Sequence, residues 1–391
     1  MTCDRDTSGG RVGKFAPFAR WVGAASLLVV LVPAAGWAQS RLRYDHDVTL
    51  TYEFDDNVQE LVDDPVRARV AKLGYHGDFL WGGGQQRLQF SYQGGFKRHF
   101  GGINREIRRT LGDSIPSQFV NEGSVAYLRK VTPRLALGAE LGIKHRAWTE
   151  GFFFINEDGF LRRSGGLNAI VDLEPLSPDR DTRVQVGVEW MDYKYKNLDD
   201  HFGNYSFGGY ASLTKEFGED LEASATYSFD RLRYPGRGTL RPGDLPQNIL
   251  VRQGERQEDD RHELGAEIRW FSGVSIVADY RFRYNDSNSF GFRYVSHTVG
   301  VQFLRPLPWG MLAQVLGQVE LRSFLEPVPN LTAGSLDTGD AQNNVLLLRL
   351  VKDITDDYSV EARYARYRNE SITLNDFYSK NIWSVGMTYR P

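Results

Sequence analysis

Charged side chains recur at every second position along several segments of the chain, which places them on one face of an extended strand. In the segment 261–270, Glu263, Glu267 and Arg269 alternate with apolar residues such as Leu264 and Ile268. A hydrated face of mixed charge can select which solutes pass along it. The candidate pore-lining residues found in this way are Glu140, Lys144, Arg146, Glu189, Glu263, Glu267, Arg269, Asp279, Arg281, Arg283, Glu320, Arg322, Glu361 and Arg363.

The seven histidines raise the question of a hydrolase, since a catalytic base must lie within hydrogen-bond reach of its nucleophile. By strand alternation, His145 and His262 fall on the apolar face. The other five are scattered, without serine or aspartate partners at a matching height: His46, His76, His99, His201 and His297. The sequence therefore predicts no catalytic residues and no cofactor, and a barrel hydrolase is only a third functional hypothesis.

Acidic pairs in turn-rich segments are the other candidates for chemistry. They are Asp55-Asp56, Asp63-Asp64, Asp199-Asp200, Asp259-Asp260, and Asp337 with Asp340. Their carboxylates could bind calcium, or bridge through divalent cations to lipopolysaccharide. No EF-hand-like spacing is present, so solvated loops are favoured and no metal site is predicted.

The elements that carry these residues are strands with a period of two. The segment 261–284 predicts a hairpin with its turn at Ser272-Gly273, one apolar face and one polar face. Strands of about ten residues suffice to cross a bilayer when tilted. About sixteen strands, joined by short turns and long loops in alternation, predict an all-β fold: a transmembrane antiparallel up-and-down barrel. A periplasmic β-sandwich is the alternative fold.

The amino terminus predicts export. Basic residues precede an apolar run over 21–32, and small residues at Gly36 and Ala38 suit cleavage before Gln39. We therefore predict two parts, a signal peptide over 1–38 and an outer-membrane β-barrel over 39–391. The one cysteine, Cys3, lies in the predicted signal, so the mature chain has no thiol or disulfide chemistry.

Composition narrows the function classes further. The formal net charge of −3 gives no electrostatic case for nucleic acid, and no second long apolar run predicts a membrane helix. An aromatic content of 13% and 40 glycines suit a closed antiparallel sheet with aromatic girdles. These features place the protein in the bacterial outer membrane, in contact with membrane lipid and lipopolysaccharide.

The two ends of the predicted barrel differ. The longest irregular connection, predicted over Tyr234–Asp260, contains Pro235, Gly236 and Pro242 and lies on the long-loop side. The last strand carries Trp383, Val385, Met387 and Tyr389 at alternate positions, followed by Arg390-Pro391. An aromatic near the carboxyl end is typical of barrels inserted by the barrel assembly machinery, which is therefore an expected partner.

The stretch Tyr52-Glu53-Phe54-Asp55-Asp56-Asn57-Val58, at the end of the first strand, resembles the Y-x-x-D-N-V/I start of a β-barrel porin family associated with exopolysaccharide export. Here three residues, instead of two, separate Tyr52 from Asp56-Asn57-Val58. The resemblance implies an outer-membrane porin whose partners include polysaccharide and export-system proteins. It supplies no binding residues.

The leading prediction is thus a porin or conduit, for exopolysaccharide export or general solute passage, and not an enzyme. Charged residues on the inner face can instead solvate and brace an interior filled by loops. The alternative function is therefore a non-conducting structural or adhesive barrel that works through its surface loops.

Overall fold

The computed structural model describes residues 41–57, 67–101, 117–148, 159–173, 182–195, 203–242, 255–326, 343–369 and 378–391. The predicted signal peptide and the acidic pairs at 63–64, 199–200 and 337–340 lie outside these ranges, as does His201. No helix in the described part of the chain is long and apolar enough to cross a membrane.

Sixteen antiparallel strands form one closed barrel, which confirms the predicted fold class and strand number. Each strand pairs with its neighbours in sequence, and the first pairs with the last. The strands are β1 (Arg41–Asp55), β2 (Ala68–Gly83), β3 (Gln86–Gly101), β4 (Gln118–Lys130), β5 (Leu135–Trp148), β6 (Phe160–Leu173), β7 (Thr182–Tyr195), β8 (Asn204–Phe217), β9 (Leu221–Gly238), β10 (Arg256–Phe271), β11 (Ser275–Ser287), β12 (Tyr294–Leu307), β13 (Met311–Phe324), β14 (Asn343–Asp353), β15 (Tyr358–Asn369) and β16 (Tyr378–Tyr389).

The short turns lie at one end of the barrel, which we call the short-turn end; the opposite end is the long-loop end. Gly218 and Gly273, in the turns after β8 and β10, have φ values of 75° and 65°. Glycine adopts this left-handed conformation without the steric cost of a side chain. These turns therefore let successive long strands reverse direction within a few residues.

The closure of the barrel is a register between β1 and β16 that runs from Val48–Tyr389 to Asp55–Ile382. On its other side β1 pairs with β2 over its whole length, from Arg41–Gly82 to Asp55–Ala68. Closure removes the unpaired strand edges that an open sheet would expose to lipid.

One predicted connection differs from the structure. The stretch Tyr234–Asp260 was expected to be an irregular loop, but β9 continues to Gly238 and β10 begins at Arg256. The register shifts between the pairs Glu258–Arg233 and Arg256–Gly238, so β9 contains a bulge opposite Gln257. Pro235 and Gly236 interrupt the alternation because they lie in this bulge.

Candidate functional site

The two faces of the barrel wall are separated by strand alternation. In β5, Leu137 and Leu141 are about half exposed, at 47% and 48%, on the outer surface. Glu140 and Lys144 take positions of opposite parity and face the interior. An apolar exterior on a closed antiparallel barrel is the lipid-facing surface of an outer-membrane protein. This protein is therefore an outer-membrane β-barrel.

The predicted pore-lining residues all occupy inward-facing positions of the register. They are Glu140, Lys144 and Arg146 on β5, Glu189 on β7, Glu263, Glu267 and Arg269 on β10, Asp279, Arg281 and Arg283 on β11, Glu320 and Arg322 on β13, and Glu361 and Arg363 on β15. That they line an open pore stays a prediction.

A three-membered ion-pair cluster joins β4, β5 and β6 on the inner face. The Glu122 carboxylate lies 2.8 Å from Lys144 Nζ and 2.8 Å from Arg162 Nη2. Glu122 and Arg162 were not among the predicted residues. In β4 the alternation is obscured by Asn121, which faces outward and accepts a hydrogen bond from Tyr92 Oη at 2.8 Å.

A second cluster joins β9 and β10. Arg269 lies 3.2 Å from Glu222 and 2.7 Å from Glu267. These side chains remain accessible to solvent, since Arg269 is 45% exposed although it faces the interior. Further inner-face pairs are Arg283–Glu263 at 2.9 Å, Arg281–Asp279 at 3.5 Å, Arg322–Glu320 at 2.9 Å and Arg349–Glu361 at 2.7 Å. Because these charges are paired and exposed to solvent, placing them on the inner wall costs little folding free energy.

Three further carboxylates of the inner face line up across neighbouring strands. The register places Glu140, Glu189 and Asp230 in one row across β5, β7 and β9, and we call them the acidic row. Within the described residues, Glu140 and Glu189 form no ion pair, whereas Asp230 lies directly opposite Arg261 of β10 and is attracted by Arg261 and Arg283. Gly166 and Gly208 separate the three carboxylates on the intervening strands, and Arg261 of β10 follows Asp230 at the end of the row.

Because Gly166 and Gly208 have no side chains, they do not cover the carboxylates beside them in the row. A Cβ atom at Gly208 would collide with the Asp230 carboxylate and with the Phe229 carbonyl oxygen. Because strands are about 4.8 Å apart, consecutive carboxylates are separated by roughly 10 Å of wall. The arrangement can attract cations electrostatically at several successive points.

Aromatic side chains cluster on the inner face of β6 and β7 near the long-loop end. The rings of Phe160 and Tyr193 stack with centroids 4.9 Å apart, and Tyr195 meets Tyr193 at 5.0 Å. The Arg146 guanidinium lies over Phe160, 4.9 Å from its centroid. Strand alternation gives these residues inward parity, but the sequence prediction singled out only the charged Arg146.

A second group narrows the interior at the long-loop end. We call residues 234–240 and 285–290 the shelf. The backbone N–H of Leu240 donates to Ser289 Oγ at 2.9 Å, and the N–H of Phe290 donates to the Leu240 carbonyl at 3.0 Å. These two hydrogen bonds connect the segment after β9 to the segment after β11, across the intervening strand β10.

The shelf lies on the inner side of β10 and β11. The inward-facing residues Gln257 and Asn285 are only 1% exposed, whereas the outward Asp286 is exposed. Arg237, also 1% exposed, has its guanidinium 4.7 Å from the Tyr234 ring centroid. Gln257 Nε2 donates to Asp259 at 3.1 Å. This buried polar network fixes the shelf over one side of the interior.

The motif that carried the family resemblance joins β1 to β16. Asp55 lies 3.4 Å from Lys380, and Asn57 Nδ2 donates to the Ser379 carbonyl at 3.2 Å. Between them, Asp56 accepts two hydrogen bonds from Asn381 of β16. The motif therefore cross-links the end of β1 to β16 where the barrel closes.

The surroundings of the histidines agree only in part with those predicted from the sequence. His262 and His297 face outward as polar partners of tyrosines, Tyr227 and Tyr280, with Oη–Nδ1 distances of 2.9 and 2.8 Å. For His262 this agrees with the predicted apolar face.

His76 does have the acidic partners that the sequence did not reveal. Its ring nitrogens lie 3.3 Å from Asp47 and 3.2 Å from Asp78 on the inner face. Ser91 donates to Asp78 and not to His76. The arrangement therefore offers no serine nucleophile activated by this histidine. Among the described residues, no three His, Cys, Asp or Glu side chains gather as metal ligands.

No family model matches this chain, and no curated protein matches it. Solved structures that resemble it include OccAB1 of Acinetobacter baumannii, with 11% identity, a TM-score of 0.47, and coverage of 90% of this chain and 96% of that one. OpdK of Pseudomonas aeruginosa, an outer membrane protein, has 13% identity, a TM-score of 0.43, and coverage of 89% and 99%. A loop-deletion mutant of OmpT, an outer membrane protein of Vibrio cholerae, has 11% identity, a TM-score of 0.45, and coverage of 90% and 99%. At these values the likeness says nothing about what this barrel carries or binds.

Proposed function

We propose that this barrel is a conduit for hydrated solutes across the outer membrane. The observation that supports it is the solvent exposure of the inner-face charged side chains. Arg269 is 45% exposed, Arg349 40% and Glu122 36%, although all three face the interior. An interior filled by side chains would bury these groups, whereas a barrel of this strand number has room for water.

The acidic row gives the conduit a preference for cations, as a second part of the proposal. Glu140 and Glu189 have no cationic partner among the described residues, and Asp230 adds a third carboxylate to the same sector of the wall, where the three attract cations. The test is the reversal potential of single channels in planar bilayers under a KCl gradient. Replacing all three with the neutral amides should shift the reversal potential toward that of an unselective or anion-preferring pore.

A neutralised turn residue provides the control. Glu219→Gln, in the short turn before β9, should leave the reversal potential unchanged. Complete absence of conductance in the folded wild-type protein would reject the conduit. Conductance with an unaltered reversal potential in the triple variant would reject only the cation preference.

Polysaccharide export is the finer proposal. The family resemblance supports it, and so does the aromatic cluster of Phe160, Tyr193 and Tyr195, because sugar rings pack their C–H faces against aromatic rings. Neutral oligosaccharides should then reduce channel current reversibly. Tyr193→Leu should weaken this block, while Tyr205→Leu, on the outer face, should not. Equal block in both variants would argue against a sugar site here.

The shelf favours the second candidate, a barrel that works through its loops without conducting. It covers part of the interior at the long-loop end. Bilayer recordings separate the two functions directly, since only the conduit requires a current.

A further inference from the structure

Basic side chains on the outer surface near the long-loop end fall into two classes. On β9, Arg231 lies 2.7 Å from Asp260 and Arg233 lies 3.1 Å from Glu258. Each of these outward cations therefore has a carboxylate partner. In the sector that flanks the β1–β16 seam, by contrast, the described part of the chain has outward arginines without an ion pair.

Four arginines occupy outward positions in that sector: Arg69 on β2, Arg98 on β3, and Arg366 and Arg368 on β15. Within the described residues, Arg69, Arg98 and Arg366 have no ion pair. Arg98 lies over the ring of Phe100, 5.5 Å from its centroid, which leaves its charge uncompensated. We call these four residues the seam patch.

Exposed aromatic residues fix the height of the seam patch. In the strand register Arg69 is opposite Phe54, which is opposite Trp383, which is opposite Tyr364, two positions from Arg366. Trp383 is 58% exposed on the outer surface. Tryptophan and tyrosine concentrate at the level of lipid headgroups. The patch thus lies where the phosphates of the outer leaflet meet the barrel.

Among the described residues, the outward acidic side chain near this row, Asp56, is already engaged. Asp56 accepts hydrogen bonds from the backbone and the side chain of Asn381, and so is held on the seam. Arg69 and Arg366 are separated by three strand spacings, roughly 15 Å. A ligand that carries more than one phosphate on a broad headgroup can therefore meet cations on both sides of the seam.

We propose that the seam patch binds the phosphates of an outer-leaflet glycolipid, bridging β15 and β2 across the barrel closure. Arginine is suited to this role because its planar guanidinium binds phosphate oxygens in pairs. The bound lipid would lie against Phe54 and Trp383 while its phosphates contact the arginines on either side.

The test is lipid retention by the intact purified barrel in detergent, followed by native mass spectrometry. The probes are bisphosphorylated lipid A and the same lipid without phosphates. The double variant Arg69→Gln/Arg366→Gln should bind the phosphorylated lipid about 25-fold more weakly, roughly fivefold for each charge lost. The control Arg231→Gln/Arg233→Gln removes paired cations on β9 and should change binding by no more than about twofold.

Heat-modifiable gel mobility establishes that each variant is folded, and Arg69→Lys/Arg366→Lys should restore much of the binding. The proposal is overturned if the phosphate-free lipid is retained as well as lipid A, or if the β9 control loses as much binding as the patch variant. Displacement of the lipid by millimolar inorganic phosphate would overturn it too, because the patch would then be a general anion site.

Discussion

Asp56 binds Asn381 through both of its carboxylate oxygens. Its Oδ1 atom accepts a hydrogen bond from the Asn381 backbone N–H at 2.6 Å, and its Oδ2 atom accepts one from Asn381 Nδ2 at 2.7 Å. The residue that directly follows the first strand thus holds the backbone and the side chain of a residue in the last strand. The pair lies just beyond the final registered pair of the seam, Asp55–Ile382.

Asp56→Ala should loosen the seam at the long-loop end. Loss of two hydrogen bonds to a carboxylate, partly exposed to solvent, should cost about 1–2 kcal/mol of unfolding free energy. The measurement is the urea midpoint followed by heat-modifiable gel mobility. Asp356→Ala, in the turn after β14, removes an exposed carboxylate elsewhere and should have no effect. Equal midpoints for the two variants would contradict a role for Asp56 in closure.

Leu141→Arg should impair insertion into membranes, and Glu140→Arg should not. The two positions are adjacent on β5 but face lipid and interior respectively. An arginine on the lipid face near the midplane costs about 2–4 kcal/mol, whereas an inner position remains hydrated. Folding yield into lipid vesicles is the measurement. Comparable yields would mean that the two faces are assigned the wrong way round.

Gly208→Ala should destabilise the barrel although it adds a single methyl group. Its Cβ would meet both the Asp230 carboxylate and the Phe229 carbonyl oxygen, and the backbone atom cannot move aside easily. Overpacking of this kind costs about 1–3 kcal/mol. Gly317→Ala is the matched control, because no atom lies within 4 Å of its added Cβ. The expected difference is visible in thermal unfolding; identical curves would refute the close approach.

Arg237→Ala should release the shelf. The substitution removes a buried guanidinium from the ring of Tyr234 and from the neighbourhood of Asp259, which would leave a buried carboxylate poorly compensated. Amide hydrogen exchange at Leu240 and Phe290 should then accelerate at least tenfold.

The control for the shelf is Arg233→Ala, which breaks an exposed ion pair with Glu258 on the outer side of the same strands. Its exchange rates at Leu240 and Phe290 should match those of the wild type. Unchanged protection in Arg237→Ala would show that the two backbone bonds hold the shelf without the arginine.

Strand alternation made the faces of the barrel predictable. Wherever a lipid face must be apolar and an interior face hydrated, each residue's side of the wall follows from parity alone, as for Leu141 and Glu140. The prediction was weakest where an outward residue is polar. Asn121 is such a case, since its hydrogen bond from Tyr92 satisfies it at the outer surface and so removes the contrast with Glu122.

The shelf and the ion pairs could not be predicted in the same way. The bond between Leu240 and Ser289 joins residues far apart in sequence, and neither has a periodic neighbourhood. Likewise, the pairing of Glu122 with Arg162 depends on register across two strand junctions. Pairing partners depend on three-dimensional register, whereas parity is a local property of each strand.

The acidic row is inclined to the barrel axis. Glu140 is near the middle of β5, whereas Asp230 is farther from the short-turn end of β9, so the row climbs around the wall. Its carboxylates therefore lie at different depths and meet different fractions of any voltage across the membrane. A cation that passes from one to the next would turn about the barrel axis as it advances, with short transfers between weak sites in place of one deep energy well.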